Sequence, residues 1–248
     1  MLSFVLLTLA AFVAGILNAV AGGGSFIAFP ALIFAGMPAL NANASAAVAL
    51  FPGQFSSAFA YRSDIRGIEE FSITMFLVLS LIGGLLGALL LLVTPVHVFE
   101  QLVPWLLLFA TTVFIVGNFA PAGAKLRFRL GSRTVLAVQF LIACYGGYFG
   151  GGIGFLMLAA LTLFGMRDIH AMNGMKILMG TMMNATAVVT FIVAGIVHWP
   201  ETIGMAVASF IGGYVGVLGA KRVNQKILKG FVAIVATAMT VYFFWRSA

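Results

Sequence analysis

Lys176 stands well inside an apolar run, with Asn173 three residues before it, Gly180 four after and Asn184 eight after. At helical spacing these four share one face. A lysine inside a membrane span is energetically expensive, so it is by default a functional residue, and its natural task is to meet an anion. The rival reading is a snorkelling lysine. At 1.5 Å per residue it lies on the order of 10–15 Å from the cytoplasmic end of its helix, within reach of the interface.

An earlier helix, from Asn41 to Ala60, carries a matching face. Aligning Asn43 with Asn173 places Ala46 opposite Lys176 and Gln54 opposite Asn184. Asn43, Gln54 and Ser57 thus form a polar face without the charge, and Asn41, Ser45 and Ser56 add polar atoms nearby. Amides and hydroxyls bind an anion or a neutral polar solute through N–H and O–H donors. The same groups also serve simple helix–helix hydrogen bonding in membranes. Asn18 sits one turn before the triple glycine Gly22, Gly23 and Gly24, and Ser25 follows it. A helix starting near Ser25, or near Ile153 after Gly150, Gly151 and Gly152, would offer free N–H groups and a positive dipole end to an anion.

The acids are Asp64, Glu69, Glu70, Glu100, Asp168 and Glu201, and all fall in loops or at helix ends. A proton or sodium relay usually needs a carboxylate in the membrane, so coupling through a buried acid is not expected. An anion leaving a negative cytoplasm is driven outward by the potential. Met172, Met175, Met179, Met182 and Met183 crowd one helix and suggest either a soft-metal path or gap-filling packing. With one cysteine and with His97, His170 and His198 in separate turns, packing is preferred and no metal site is expected. No serine-centred motif, CxxC or phosphate loop points to an enzyme, and no cofactor is implied.

These residues need elements to hold them. The chain is 62% hydrophobic and 8% charged, against about 25% charged for a soluble domain. Apolar runs of about 20 residues recur, which makes it a polytopic all-α membrane protein whose partner is the lipid bilayer. The basic residues sit in short loops, where they orient helices rather than bind nucleic acid. Ala19-Val20-Ala21 looks like a signal-peptide cleavage site, but no Lys or Arg precedes it. Each triple glycine lies in an apolar run, is followed by a short segment, and leads to Gly-Met (Gly36-Met37, Gly165-Met166). A helix broken at membrane depth must be buried or line a cavity. Breaks at matching places in two halves point to a transporter's binding site.

The expected order is a helix from Ser3 to Ala21, a short one from Ser25 to Ala35, then Asn41 to Ala60 with a kink at Pro52-Gly53. Spans from Phe71 to Val93 and Gln101 to Asn118 complete a first repeat within residues 1–120. A basic linker, 121–133, leads to a second repeat, 134–248. There the helices are Thr134 to Phe149, Ile153 to Phe164, Ala171 to Val197, Thr202 to Gly219 and Gly230 to Trp245. Arg62, Arg66, Lys125, Arg127, Arg129, Arg133, Arg167, Lys221, Arg222, Lys226 and Lys229 should all be cytoplasmic. The turns Thr94 to Glu100 and His198 to Glu201 lack Lys and Arg and should face outside. Five segments per half then make the halves inverted, with both termini outside. Gly83, Gly84 and Gly87, like Gly212, Gly213 and Gly216, form close-packing faces for use within the protomer or in a homodimer.

GILNAVAGGGSFIAFPAL and GMKILMGTMMNATAVVTFIVAGIVHWP (Gly174 to Pro200) resemble segments of the sulfite exporter TauE/SafE family of membrane permeases. The resemblance implies a bacterial inner-membrane carrier that exports a small anion such as sulfite, sulfoacetate or another organosulfur or organic anion. The reading is an anion exporter whose site lies between the two breaks and the helices from Asn41 and Ala171. Lys176 would supply charge, and Asn18, Asn43, Gln54, Asn173 and Asn184 hydrogen bonds. An anion channel of the same fold, a soft-metal transporter and a membrane scaffold are the alternatives.

Overall fold

The computed structural model describes residues 2–20, 22–63, 65, 72–119, 131–166, 168–219 and 225–247. Asp64, Arg66, Glu69, Glu70, Lys125, Arg127, Arg129, Arg167, Lys221 and Arg222 lie outside them, as do residues 121–130 of the linker and the side chains of Lys226 and Lys229. The regular structure of the described residues is ten helices: α1 (Leu2–Val20), α2 (Ser25–Phe34), α3 (Ala39–Ala60), α4 (Ile73–Val93), α5 (Val96–Phe119), α6 (Ser132–Tyr148), α7 (Ile153–Leu163), α8 (Ile169–Val193), α9 (Trp199–Gly219) and α10 (Gln225–Ser247). Five of them, within α1, α4, α5, α8 and α9, are long and apolar enough to cross a bilayer. The chain is a multi-pass membrane protein.

Three boundaries differ from expectation by four residues or more. α5 begins at Val96, directly after Pro95, whose fixed φ suits a helix start. α8 ends at Val193 because Gly195 turns to φ 70°. α10 already begins at Gln225. The two Gly-Met pairs prove to be helix stops. Gly36 and Gly165 take φ 92° and 95°. Met37 N–H donates to Leu32 O at 3.1 Å and Met166 N–H to Leu161 O at 3.0 Å. This is the Schellman arrangement, in which a left-handed glycine lets the chain satisfy the last carbonyls.

Packing exchanges elements between the halves. The fourth helix of each half lies against the first and third helices of the other: α9 on α1 and α3, α4 on α6 and α8. α3 meets α8 and α5 meets α10 across the centre. Swapping the halves leaves these pairings unchanged. Glycine faces make the close approach. A Cβ on Gly213 would meet the Gly53 carbon at 2.8 Å, and one on Gly84 would meet Met183 Cα at 2.7 Å. The faces Gly83/Gly87 and Gly212/Gly216 are therefore used within the protomer.

The neighbours run side by side in one direction. Phe4, Phe12 and Ile16 of α1 meet Gly204, Gly212 and Gly216 of α9. On the other side Gln139 Nε2 donates to Ser80 Oγ at 3.0 Å, and Gly83 and Gly87 meet Ala143 and Cys144. Gly15 sits against Ser209, midway along α9, and Gly147 against Gly84, midway along α4. From there the breaks are only about 10 Å and 5 Å further along α1 and α6. α2 and α7, of 10 and 11 residues, measure about 15–17 Å, half a bilayer core.

Candidate functional site

The two glycine breaks touch. Gly22 takes φ 87°, and a Cβ there would meet Gly154 Cα at 2.6 Å. Ser25 Oγ donates to Gly150 O at 3.4 Å. Gly152 takes φ 68° and faces the Phe26 ring. The freed backbone groups are largely satisfied inside the chain. Gly24 N–H donates to Asn18 Oδ1 at 2.9 Å, while Phe26, Ile27 and Ala28 N–H donate to the carbonyls of Gly23 and Gly24. Ile153 N–H donates to Gly150 O at 3.3 Å. The expected free N–H cluster at the α2 start is mostly engaged, so side chains rather than backbone amides must supply most donors. Tyr145 Oη donates to Gly151 O at 2.8 Å. Tyr145 is not among the residues expected from the sequence; its signal there is a polar aromatic about one turn before the break.

Beside the meeting point lies a narrow hollow of about 30 Å³, room for roughly one or two water molecules. α2 contributes Ser25 and Phe29, α6 contributes Gly146 and Gly147, and the second break contributes Phe149 and Gly150. α3 contributes Asn43 to Gln54 along one face, and α8 contributes Gly180, Met183, Asn184 and Phe191. The lining includes no carboxylate.

Four of the expected side chains are brought together here: Ser25, Asn43, Gln54 and Asn184. Asn184 Nδ2 donates to Gln54 Oε1 at 3.0 Å and to Ala47 O at 3.3 Å, joining α8 to α3. Asn43 Nδ2 donates to Tyr148 O at 3.0 Å. Asn18, Gly22, Gly23, Gly24, Gly151 and Gly152 shape the breaks but do not line the hollow. Buried Asn18 Nδ2 has no partner. Ser57 is elsewhere: its Oγ donates to Gly53 O at 2.7 Å and to Gly213 O at 3.2 Å, in the α3–α9 seam.

Lys176 is only 3% exposed and is the one charged side chain among the buried described residues. The snorkelling reading fails on this burial. Nζ donates to Asn173 Oδ1 at 3.0 Å, itself 8% exposed, and no carboxylate within ion-pairing distance is described. The side chain leans toward the helix N-terminus, as helix geometry favours, and so leaves Gly180 uncovered. A Cβ on Gly180 would meet nothing within 4 Å. The Lys176 backbone is therefore about 6 Å, one turn, from the hollow, while its ammonium is directed away from it toward Asn173 and does not line it.

Met172, Met175, Met179 and Met183 pack into one apolar cluster with Phe76, Leu161 and Phe164, which favours the packing reading. No group of three or more His, Cys, Asp or Glu suited to a metal occurs among the described residues. A larger hollow of about 540 Å³ lies between the α2–α3 turn, the start of α5 and Phe243 of α10. Its charged lining residue is Glu100, which disfavours an anion.

Comparison with known proteins places these features in context. The family model described as sulfite exporter TauE/SafE matches residues 7–243. A probable membrane transporter protein of Sinorhizobium is 32% identical over 95% of this chain and 90% of its own length. A probable membrane transporter protein of Haemophilus influenzae is 31% identical over 92% and 89%. The probable membrane transporter protein YfcA of Escherichia coli K12 is 27% identical over 96% and 88%. No solved structure matches at a significant level.

Proposed function

We propose that this chain, which belongs to the sulfite exporter TauE/SafE family, is a secondary carrier that exports a small anion and binds it where its glycine breaks meet. The observation that carries the reading is the chemistry of that place. Amide groups of Asn43, Gln54 and Asn184 line it, no carboxylate does, and the buried Lys176 stands one turn further along α8 with no described carboxylate within ion-pairing distance. An ammonium without a counter-ion in an apolar interior is stabilised by an arriving anion, and a charge-assisted hydrogen bond is about twice as strong as a neutral one.

In this reading the halves are inverted, each broken pair enters to mid-depth and returns, and both termini lie outside the bacterial inner membrane. Support comes from the swapped fourth helices, the half-bilayer lengths of α2 and α7, and the parallel courses of α1 with α9 and α4 with α6. Sulfite, sulfoacetate and related organosulfur or organic anions are the substrate class. The membrane potential drives export, with no buried acid required.

A thermal-shift screen of the purified protein against sulfite, sulfate, sulfonates and carboxylates tests this first. A bound anion at 100 times its Kd stabilises by about 2.7 kcal/mol. A positive anion is then carried to counterflow in proteoliposomes, where a carrier shows trans-stimulation and a channel does not. Silence toward every anion in both assays would overturn the proposal.

A further inference from the structure

The hollow is one-sided. Along α3 it is lined by the first part of the helix, from Asn43 through Ala46 and Ala47 to Gln54, and along α8 by the later part, from Gly180 to Phe191. Swapping the halves exchanges α3 with α8, with Asn43, Ala46 and Ala47 falling on Asn173, Lys176 and Ile177. That image wall is shut: Asn43, Ala46 and Ala47 line the hollow, whereas none of Asn173, Lys176 and Ile177 does. Gln54 and Asn184 are images of each other and are bonded to one another, so they belong to both walls.

We infer that Asn173, Lys176 and Ile177 form a second oxyanion-binding wall, the repeat image of the open one, which opens to the opposite face of the membrane as the carrier turns over. The inference rests on the carrier reading above. In a carrier built from related halves, turnover exchanges their arrangements, so a wall shut in one state is open in the other. The two walls differ in chemistry. Ala46 has no polar side chain at the place where Lys176 has an ammonium. In the shut state Asn173 Oδ1 accepts from that ammonium. An entering oxyanion replaces this neutral acceptor with a charged one. The two faces of the carrier therefore hold the same anion unequally, more tightly on the Lys176 side. On the proposed orientation that is the cytoplasmic side, where an exporter loads. The asymmetry sets the apparent KM at each face and leaves the overall equilibrium untouched.

Single-cysteine labelling tests this. In a Cys144→Ala background, Ala47→Cys, Ile177→Cys and Gly180→Cys are each exposed to a membrane-impermeant thiol reagent in vesicles of either orientation. Ala47→Cys labels from one face. Ile177→Cys labels from the opposite face, about tenfold or more slowly, because a minor state is populated at roughly 10% or less. Gly180 and its repeat image Leu50 both line the hollow, as Gln54 and Asn184 do, so Gly180→Cys labels from both faces. If Ile177→Cys does not fold, Lys176→Cys reads the same wall. In the protein with native walls, anion KM is lower at the Lys176 face, and Lys176→Gln removes that difference. Labelling of both walls from the same face, or an unreactive Ile177→Cys in a protein that still exchanges anion, overturns the second wall. Absence of anion exchange in the unmodified protein overturns the carrier reading instead.

Discussion

Replacing Gly180 by alanine should raise stability and lower transport together. Gly180 is inside α8, at ordinary helical φ, and an added Cβ would meet nothing within 4 Å. Glycine inside a helix is less stable than alanine by about 0.5–1 kcal/mol, so the variant gains about that much. For a chain of this size that is a rise in Tm of about 1–4 °C. The same methyl enters a hollow of only about 30 Å³ beside Asn184, in the path assigned to the anion. Thermal unfolding of the purified protein and anion counterflow in proteoliposomes read the two effects. Gly165→Ala is the matched control. It too has open space, but its φ of 95° makes alanine strained, costing about 1–2 kcal/mol, and it lies outside the hollow. It should lose stability and keep exchange per folded molecule. A destabilised Gly180→Ala would show that the space is occupied, and unchanged exchange would show that the hollow is off the path.

Three further substitutions separate shape from chemistry. Gly22→Ala adds strain at φ 87° to a clash with Gly154 Cα at 2.6 Å and should cost about 2–5 kcal/mol, read by thermal unfolding. Asn18→Ala leaves Gly24 N–H without its acceptor and should cost about 1–3 kcal/mol, measured the same way. Ser57→Ala removes the one hydroxyl donor shared by Gly53 O and Gly213 O in the α3–α9 seam and should cost about 0.5–1.5 kcal/mol, with counterflow per folded molecule unchanged.

Much of this architecture was legible because glycine has few uses in an apolar helix. The triple glycines and the Gly-Met pairs marked breaks and stops correctly, since left-handed backbone at Gly22, Gly36, Gly150 and Gly165 is hard for other residues. The helix order followed from apolar runs. The exchange of α4 and α9 between halves was not legible. Gly83-Gly84 and Gly212-Gly213 announce a close contact but carry nothing that names the partner. Ser57 was misplaced for a geometric reason: it lies three residues from Gln54, about 60° around the helix, where hollow and seam adjoin. The amides were visible as a set, but the assignment of Asn43 to the Tyr148 carbonyl and of Asn184 to Gln54 arises only from tertiary packing.

The most direct measurement is anion counterflow in proteoliposomes with unmodified protein and Lys176→Ala. The unmodified protein should show trans-stimulated exchange of a small oxyanion. In the variant the KM should rise about 10- to 100-fold, the loss of one charged hydrogen bond of about 1.5–3 kcal/mol. Equal exchange by a folded Lys176→Ala protein would contradict it.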